Sequence, residues 1–71
     1  MADPIDFDLK GEFIPLNDLL KTTGIAPSGG EAKAMVAEGL VKVDGQVELR
    51  KRCKIRSGQV VTTGGATINV R

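Results

Sequence analysis

Ser28-Gly29-Gly30-Glu31-Ala32-Lys33-Ala34-Met35-Val36-Ala37-Glu38-Gly39-Leu40-Val41-Lys42-Val43-Asp44-Gly45 contains the point at which the apolar period of the chain changes, and that change decides the fold class. Its opening Ser28-x-x-Glu31 fits a capping box, in which the Ser28 hydroxyl accepts from the amide three residues on and Glu31 reaches back to the Ser28 amide. A helix therefore starts here. Ala32, Met35 and Val36 follow along one stripe with Lys33 and Ala37 at its flanks, and Gly39 is placed to end the helix with Leu40 locking the exit. From Val41 the spacing falls to two: Val41 and Val43 alternate with Lys42, Asp44-Gly45 is a two-residue hairpin signal, and Val47 and Leu49 resume the alternation.

Upstream of this stretch, Leu16, Leu19 and Leu20 stand at i, i+3, i+4 and predict a first helix, with Pro15 suited to its first position. Thr22 and Thr23 are poor helix formers, so the helix ends near them with Gly24 as a left-handed cap. Residues 1–12 show no clear period and several acids, and read as an irregular acidic lead-in from which Phe7, with Phe13 just beyond it, tucks onto the core. Downstream, Gly58 marks a turn, Val60 and Val61 lead to Thr62, Gly64-Gly65 turns again, and Ile68 and Val70 alternate to the end. The resulting order predicts an α+β fold, two short helices packed on a small antiparallel β-sheet, as a single domain over residues 13–71.

A chain of 71 residues has material for one core only, since a domain of this size buries only about 60 % of its unfolded surface. Function must then sit on the outside. The net charge of +1 hides a split. Up to Leu49 there are four basic and nine acidic residues, a balance of −5; from Arg50 onward there are six basic and no acidic ones, a balance of +6. Such asymmetry creates a local field. The lone Cys53 allows no intrachain disulfide and points to a reducing compartment, here the cytoplasm. Met1 to Asp8 carries acids where a secretory signal would carry a positive region, and no apolar run approaches a membrane span.

Within the basic part, Arg50-Lys51-Arg52-Cys53-Lys54-Ile55-Arg56 is the strongest local feature. On an extended backbone Arg50, Arg52, Lys54 and Arg56 share one face over roughly 20 Å while Cys53 and Ile55 point to the core. A row of cations meets a row of phosphates, and the guanidinium suits this through its paired donors. The same pattern also fits an edge strand guarded by charge, or a solvated positive face. Trp and Tyr are absent and both phenylalanines lie far from the basic row in sequence, which disfavours base stacking and favours recognition of folded or double-stranded RNA by shape and backbone charge, with modest sequence preference. Gly24 to Gly30 superficially resembles a phosphate-binding loop, but it lacks the Lys and Ser/Thr, and Glu31 sits where phosphates would. Cys53 has no His to deprotonate it and reads as a buried small apolar residue, with a reactive thiol as the minor alternative. No cofactor, metal site or catalytic set is expected.

The run Leu16-x-x-Leu19-Leu20-Lys21, Gly24, Ser28-x-x-Glu31-Ala32-Lys33, Glu38-Gly39-x-Val41-x-Val43-Asp44-Gly45 and the later Gly58 resembles the RNA-binding domain first named from ribosomal small-subunit protein S-four. The likeness runs from about Ile14 to Val70. With Arg50-Lys51-Arg52-Cys53-Lys54-Ile55 it is similar to the small stand-alone bacterial YbcJ-like branch of that family. The resemblance implies an αL-type arrangement of two helices on a small sheet, with structured RNA held by basic residues of the second helix and the adjacent strand and loop. By position it implies roles for Lys33, Lys42, Arg50, Lys51, Arg52 and Lys54, to which the strand alternation adds Arg56. Many members carry an arginine where this chain has Gly29-Gly30, which shifts the burden to Arg50–Lys54. The expected activity is binding of structured RNA, such as ribosomal or transfer RNA, by a monomer that is no enzyme and engages neither membrane nor small-molecule substrate. The alternative is a protein-interaction module in which the basic strand pairs with an acidic or extended partner by edge addition.

Overall fold

The computed structural model describes residues 4–71. In chain order the elements are β1 (Ile5–Phe7), β2 (Ile14–Pro15), α1 (Leu16–Thr22), α2 (Gly29–Ala37), β3 (Val41–Val43), β4 (Gln46–Val47), β5 (Lys54–Ile55), β6 (Val60–Thr63) and β7 (Ala66–Val70). The main sheet runs β1-β7-β6-β3-β4, and β2 with β5 forms a separate two-stranded ribbon. This is the α+β arrangement that the change of period predicts.

Both helices follow their apolar spacing. Leu16, Leu19 and Leu20 of α1 are fully buried, and so are Ala32 and Val36 of α2, with Met35 packed partly against the same cluster. Pro15 stands just before α1 as its N-cap, with extended backbone (φ −60°, ψ 141°), and not within the helix as its first residue. At the start of α2 the Ser28 hydroxyl accepts the Glu31 amide at 3.2 Å. Among the described residues Glu31 makes no return bond, so only the forward half of the capping box forms. The α2 exit is a Schellman turn: the Gly39 amide donates to the Val36 carbonyl and the Leu40 amide to that of Met35, both at 3.1 Å. Gly39 sits at φ +76°, where a side chain would be strained. Leu40 thus locks the exit through its backbone, while its side chain is exposed.

Asp44 (φ 51°) and Gly45 (φ 84°) form the type I′ turn that joins β3 to β4. Asp44 also ties this hairpin to β6, accepting the Val60 amide at 3.0 Å and the Gln59 side-chain amide at 3.3 Å. Lys42 points away from the core because Val41 and Val43 take the inward positions of β3. Val61 and Thr63 of β6, and Ile68 and Val70 of β7, continue that buried face and close the core against the helices with Ile55 of β5.

One strand corrects the expectation of an irregular lead-in over residues 1–12. β1 runs parallel to β7, with Ile5 opposite Ile68 and Phe7 opposite Val70, which makes the sheet mixed rather than wholly antiparallel; Met1, Ala2 and Asp3 lie outside the described residues. The cause is the otherwise open edge of β7, whose amides and carbonyls need partners. Two further bonds lengthen the join: Arg71 donates to the Phe7 carbonyl at 2.9 Å, and Leu9 to the Arg71 carbonyl at 2.8 Å. Ile5, Phe7 and Leu9 face the core while Asp6 and Asp8 are exposed.

Candidate nucleic-acid interface

The continuous strand that the charge spacing predicts over Arg50–Arg56 does not form. Only Lys54 and Ile55 are extended, as β5, and the residues before them make a turn closed by the Cys53 amide donating to the Arg50 carbonyl at 3.0 Å. Glu48 shapes the entry: its carboxylate accepts from the Arg50 backbone amide and Nε at 3.0 Å each and from Nη2 at 3.1 Å. A carboxylate two residues before an arginine offers the backbone this local alternative to a ladder. Strand alternation would also have sent Lys51 inward, and an unpaired buried ammonium is prohibitively costly. In the turn Lys51 is exposed.

The first amides of a helix have no partner within it. In α1 the turn supplies partners for the first two: Leu16 donates to the Cys53 carbonyl at 2.9 Å and Asn17 to the Lys51 carbonyl at 3.0 Å. Ile55, fully buried, and Cys53, partly buried against the core, anchor the exit as expected. The basic turn is therefore bolted to α1 at its apex and to the core at its end.

Arg50, Lys51, Arg52 and Lys54 line one open groove of about 840 Å³, whose remaining wall is Ala37, Leu49 and Cys53. Lys33 is exposed one helical turn before Ala37 on the same face of α2, where Cβ atoms lie about 5–6 Å apart, and is itself outside the groove wall. Lys42 does not join it: it borders a separate shallow groove beside Thr62 and the Gly64-Gly65 turn, on the outer face of the sheet. Arg56 follows β5, lies outside the groove wall, and donates its backbone amide to the Gln59 side chain at 2.7 Å.

Electrostatics divides the cations further. Among the described residues, ion pairs join Arg50 to Glu48 at 3.0 Å and Arg71 to Asp6 at 3.2 Å. Lys51, Arg52 and Lys54 have no carboxylate partner among the described residues. The Arg50 hydrogen bonds hold the Glu48 carboxyl down to about 2, and Glu48 in turn pushes the Arg50 guanidinium up. Burial, and then the neighbouring Glu48 carboxylate, push the Cys53 thiol up, which disfavours the thiolate that a nucleophilic reading requires.

Two residues that sequence reasoning missed belong to this surface. Glu48 is one, legible only as an acid two places before Arg50. Phe13 is the other: it does not tuck onto the core but is 39 % exposed, with Lys54 Nζ 4.9 Å from its ring centroid. The premise that both phenylalanines lie far from the basic residues holds in sequence and fails in space, because β2 pairs with β5 and sets Pro15 opposite Lys54. Among the described residues no three His, Cys, Asp or Glu side chains are grouped to hold a metal ion, and no helix is long and apolar enough to cross a membrane.

Two short helices backed by a small sheet, with a cationic turn bolted to the first helix, define a compact binding scaffold. Residues 7–71 match the S4 domain family, and the chain belongs to that family. It is 52 % identical over 61 residues to YbcJ of Escherichia coli (strain K12), whose name carries a provisional RNA-binding designation; the match covers 86 % of this chain and 87 % of that protein. The solution structure of E. coli YbcJ, described as revealing an αL motif involved in RNA-binding, superposes with a TM-score of 0.75 at 49 % identity, covering 99 % of this chain and 90 % of that one. A tyrosine–tRNA ligase of Ralstonia nicotianae is 38 % identical over 58 residues, which are 82 % of this chain and 15 % of the enzyme.

Proposed function

We propose that the protein binds structured RNA, its phosphates seated along the groove formed by the basic turn and α2. The observation that carries this reading is the set of exposed cations Lys51, Arg52 and Lys54 on one groove wall, without carboxylate partners among the described residues and on a backbone tied to α1. A backbone already held in place removes the loop-ordering part of the cost of bringing these cations to phosphates. Arg50 acts beside them with its guanidinium oriented by Glu48, and Lys33 lengthens the surface along α2. Lys42 and Arg56 stand apart from the groove and contribute long-range attraction. The described RNA-binding of the S4-type relative YbcJ supports the same reading.

The activity proposed is binding without catalysis, by a monomer in the cytoplasm and without a cofactor. Likeness to the tyrosine–tRNA ligase is confined to 15 % of that enzyme, a portion as small as this whole domain. Edge addition of a protein partner along Arg50–Arg56 has little to work with, since only two residues there are extended and they already pair with β2. A gel-shift titration with folded ribosomal and transfer RNA fragments at about 150 mM salt, where exposed charges are screened beyond about 8 Å, tests the proposal. A shift that added salt weakens supports it, and the absence of any shift with each RNA refutes it.

A further inference from the structure

Phe13 and Phe7 are the only aromatic residues of the 71, and they have different surroundings. Phe7 packs against the core; Phe13 lies outside that cluster and is 39 % exposed. Exposure alone carries little, because scattered apolar side chains are ordinary on protein surfaces. Position carries more. The β2–β5 pairing sets Phe13 beside Lys54, a residue of the groove wall, and the Lys54 ammonium lies 4.9 Å from the ring centroid. Ring and ammonium side by side match the two chemically distinct parts of a nucleotide, a flat base and an anionic phosphate.

We infer that Phe13 is a stacking platform for an unpaired base of the bound RNA, with Lys54 leaving the ring for the phosphate beside that base. This rests on the RNA-binding reading above and deepens it. A cation–π contact at an exposed site is weak enough to exchange in this way. Stacking on an aromatic ring tolerates any base, since every base has a π face. Continuous duplex offers no free base, so Phe13 directs the groove to loops, bulges or ends, where single-stranded positions of structured RNA can be splayed out. The sequence alone disfavours stacking because nothing in it reveals that Phe13 meets the basic turn.

The test compares an RNA hairpin carrying one bulged 2-aminopurine with a fully paired hairpin of equal charge, using wild type and the Phe13→Ala, Phe13→Leu and Phe13→Trp variants. Phe13→Leu keeps apolar bulk without a π face, which separates stacking from any structural role of the side chain. Expected is a change in 2-aminopurine emission on binding as the base leaves its stacked neighbours for the ring, a loss of about tenfold for Phe13→Ala and Phe13→Leu on the bulged RNA, no loss on the paired RNA, an unchanged salt slope, and retention by Phe13→Trp. Equal affinity of Phe13→Leu and wild type for the bulged RNA, or an equal loss on both RNAs, overturns the inference while leaving RNA binding in place. A wild-type protein that binds neither RNA overturns both.

Discussion

The backbone amide of Asn17 donates to the carbonyl of Lys51 at 3.0 Å, which joins the first turn of α1 to the apex of the basic turn. Helix N-termini ordinarily leave such amides to solvent or to capping side chains. Here the donor serves the basic turn instead, and with the neighbouring bond from Leu16 to Cys53 it converts a charged loop into a fixed surface. The amides of Leu16 and Asn17 are therefore expected to exchange with solvent slowly, like those of the α1 interior. Exchange as fast as in exposed loops, measured by NMR, would show that the turn is not held.

Glu48 provides a pH-dependent part of the same clamp. Its carboxyl is held at about 2 by the Arg50 hydrogen bonds, below the ordinary carboxylate value of 4.5, so its contribution to stability is complete above that ordinary value and fades as pH falls toward 2. The Arg50 partner is largely exposed, with 79 % of its side chain in solvent, so solvent screening keeps the contribution small. Titration of the Glu48 carboxyl carbon by NMR is expected to show no protonation between pH 7 and about 4. A midpoint near the ordinary value would mean that the ion pair is absent in solution.

Cys53 is expected to behave as a packed residue. Its thiol is pushed up by burial and by Glu48, so iodoacetamide at neutral pH should modify the native protein far more slowly than the denatured one. Equal rates in the two states would return the nucleophilic reading to consideration.

Gly30 lies seven residues before Ala37 on the same stripe of α2, and a Cβ built there meets only the Ser28 hydroxyl oxygen at 3.8 Å, an ordinary contact. Gly30→Arg thus adds a cation beside the groove without a clash. Removing a helical glycine gains up to about 1 kcal/mol, and a positive charge in the first turn costs about 0.3–1 kcal/mol, so Tm should change little. RNA affinity at low salt should rise several-fold and the salt slope steepen by about one. Weaker binding would place the RNA elsewhere.

Local signals made much of this fold legible. The apolar spacing of Leu16, Leu19 and Leu20, the Ser28 cap, the stop at Gly39 and the turns at Asp44-Gly45 and Gly64-Gly65 each act within a few residues, and each appears where its chemistry predicts. Long-range pairings were not legible. Ile5 meets Ile68, and Ile14 meets Ile55, through contacts that no short window contains, so neither β1 nor the placement of Phe13 is visible in the local sequence. At Arg50–Arg56 the charge alternation imitates a strand, while Glu48 and the open amides of α1 select a turn. The cationic composition of the site could be read; its shape, the separation of Lys42 and Arg56 from the groove, and its aromatic neighbour required the tertiary pairing.

Contact between the basic turn and phosphates is read from the salt dependence of binding to a folded RNA by wild type and by a variant with Lys51, Arg52 and Lys54 all replaced by alanine. If these cations touch phosphates, the slope of log affinity against log salt falls by about one per lost contact, or about three in all, and affinity drops for every RNA sequence tried. A variant that keeps the wild-type slope, whatever its affinity, would mean that these side chains do not touch phosphates.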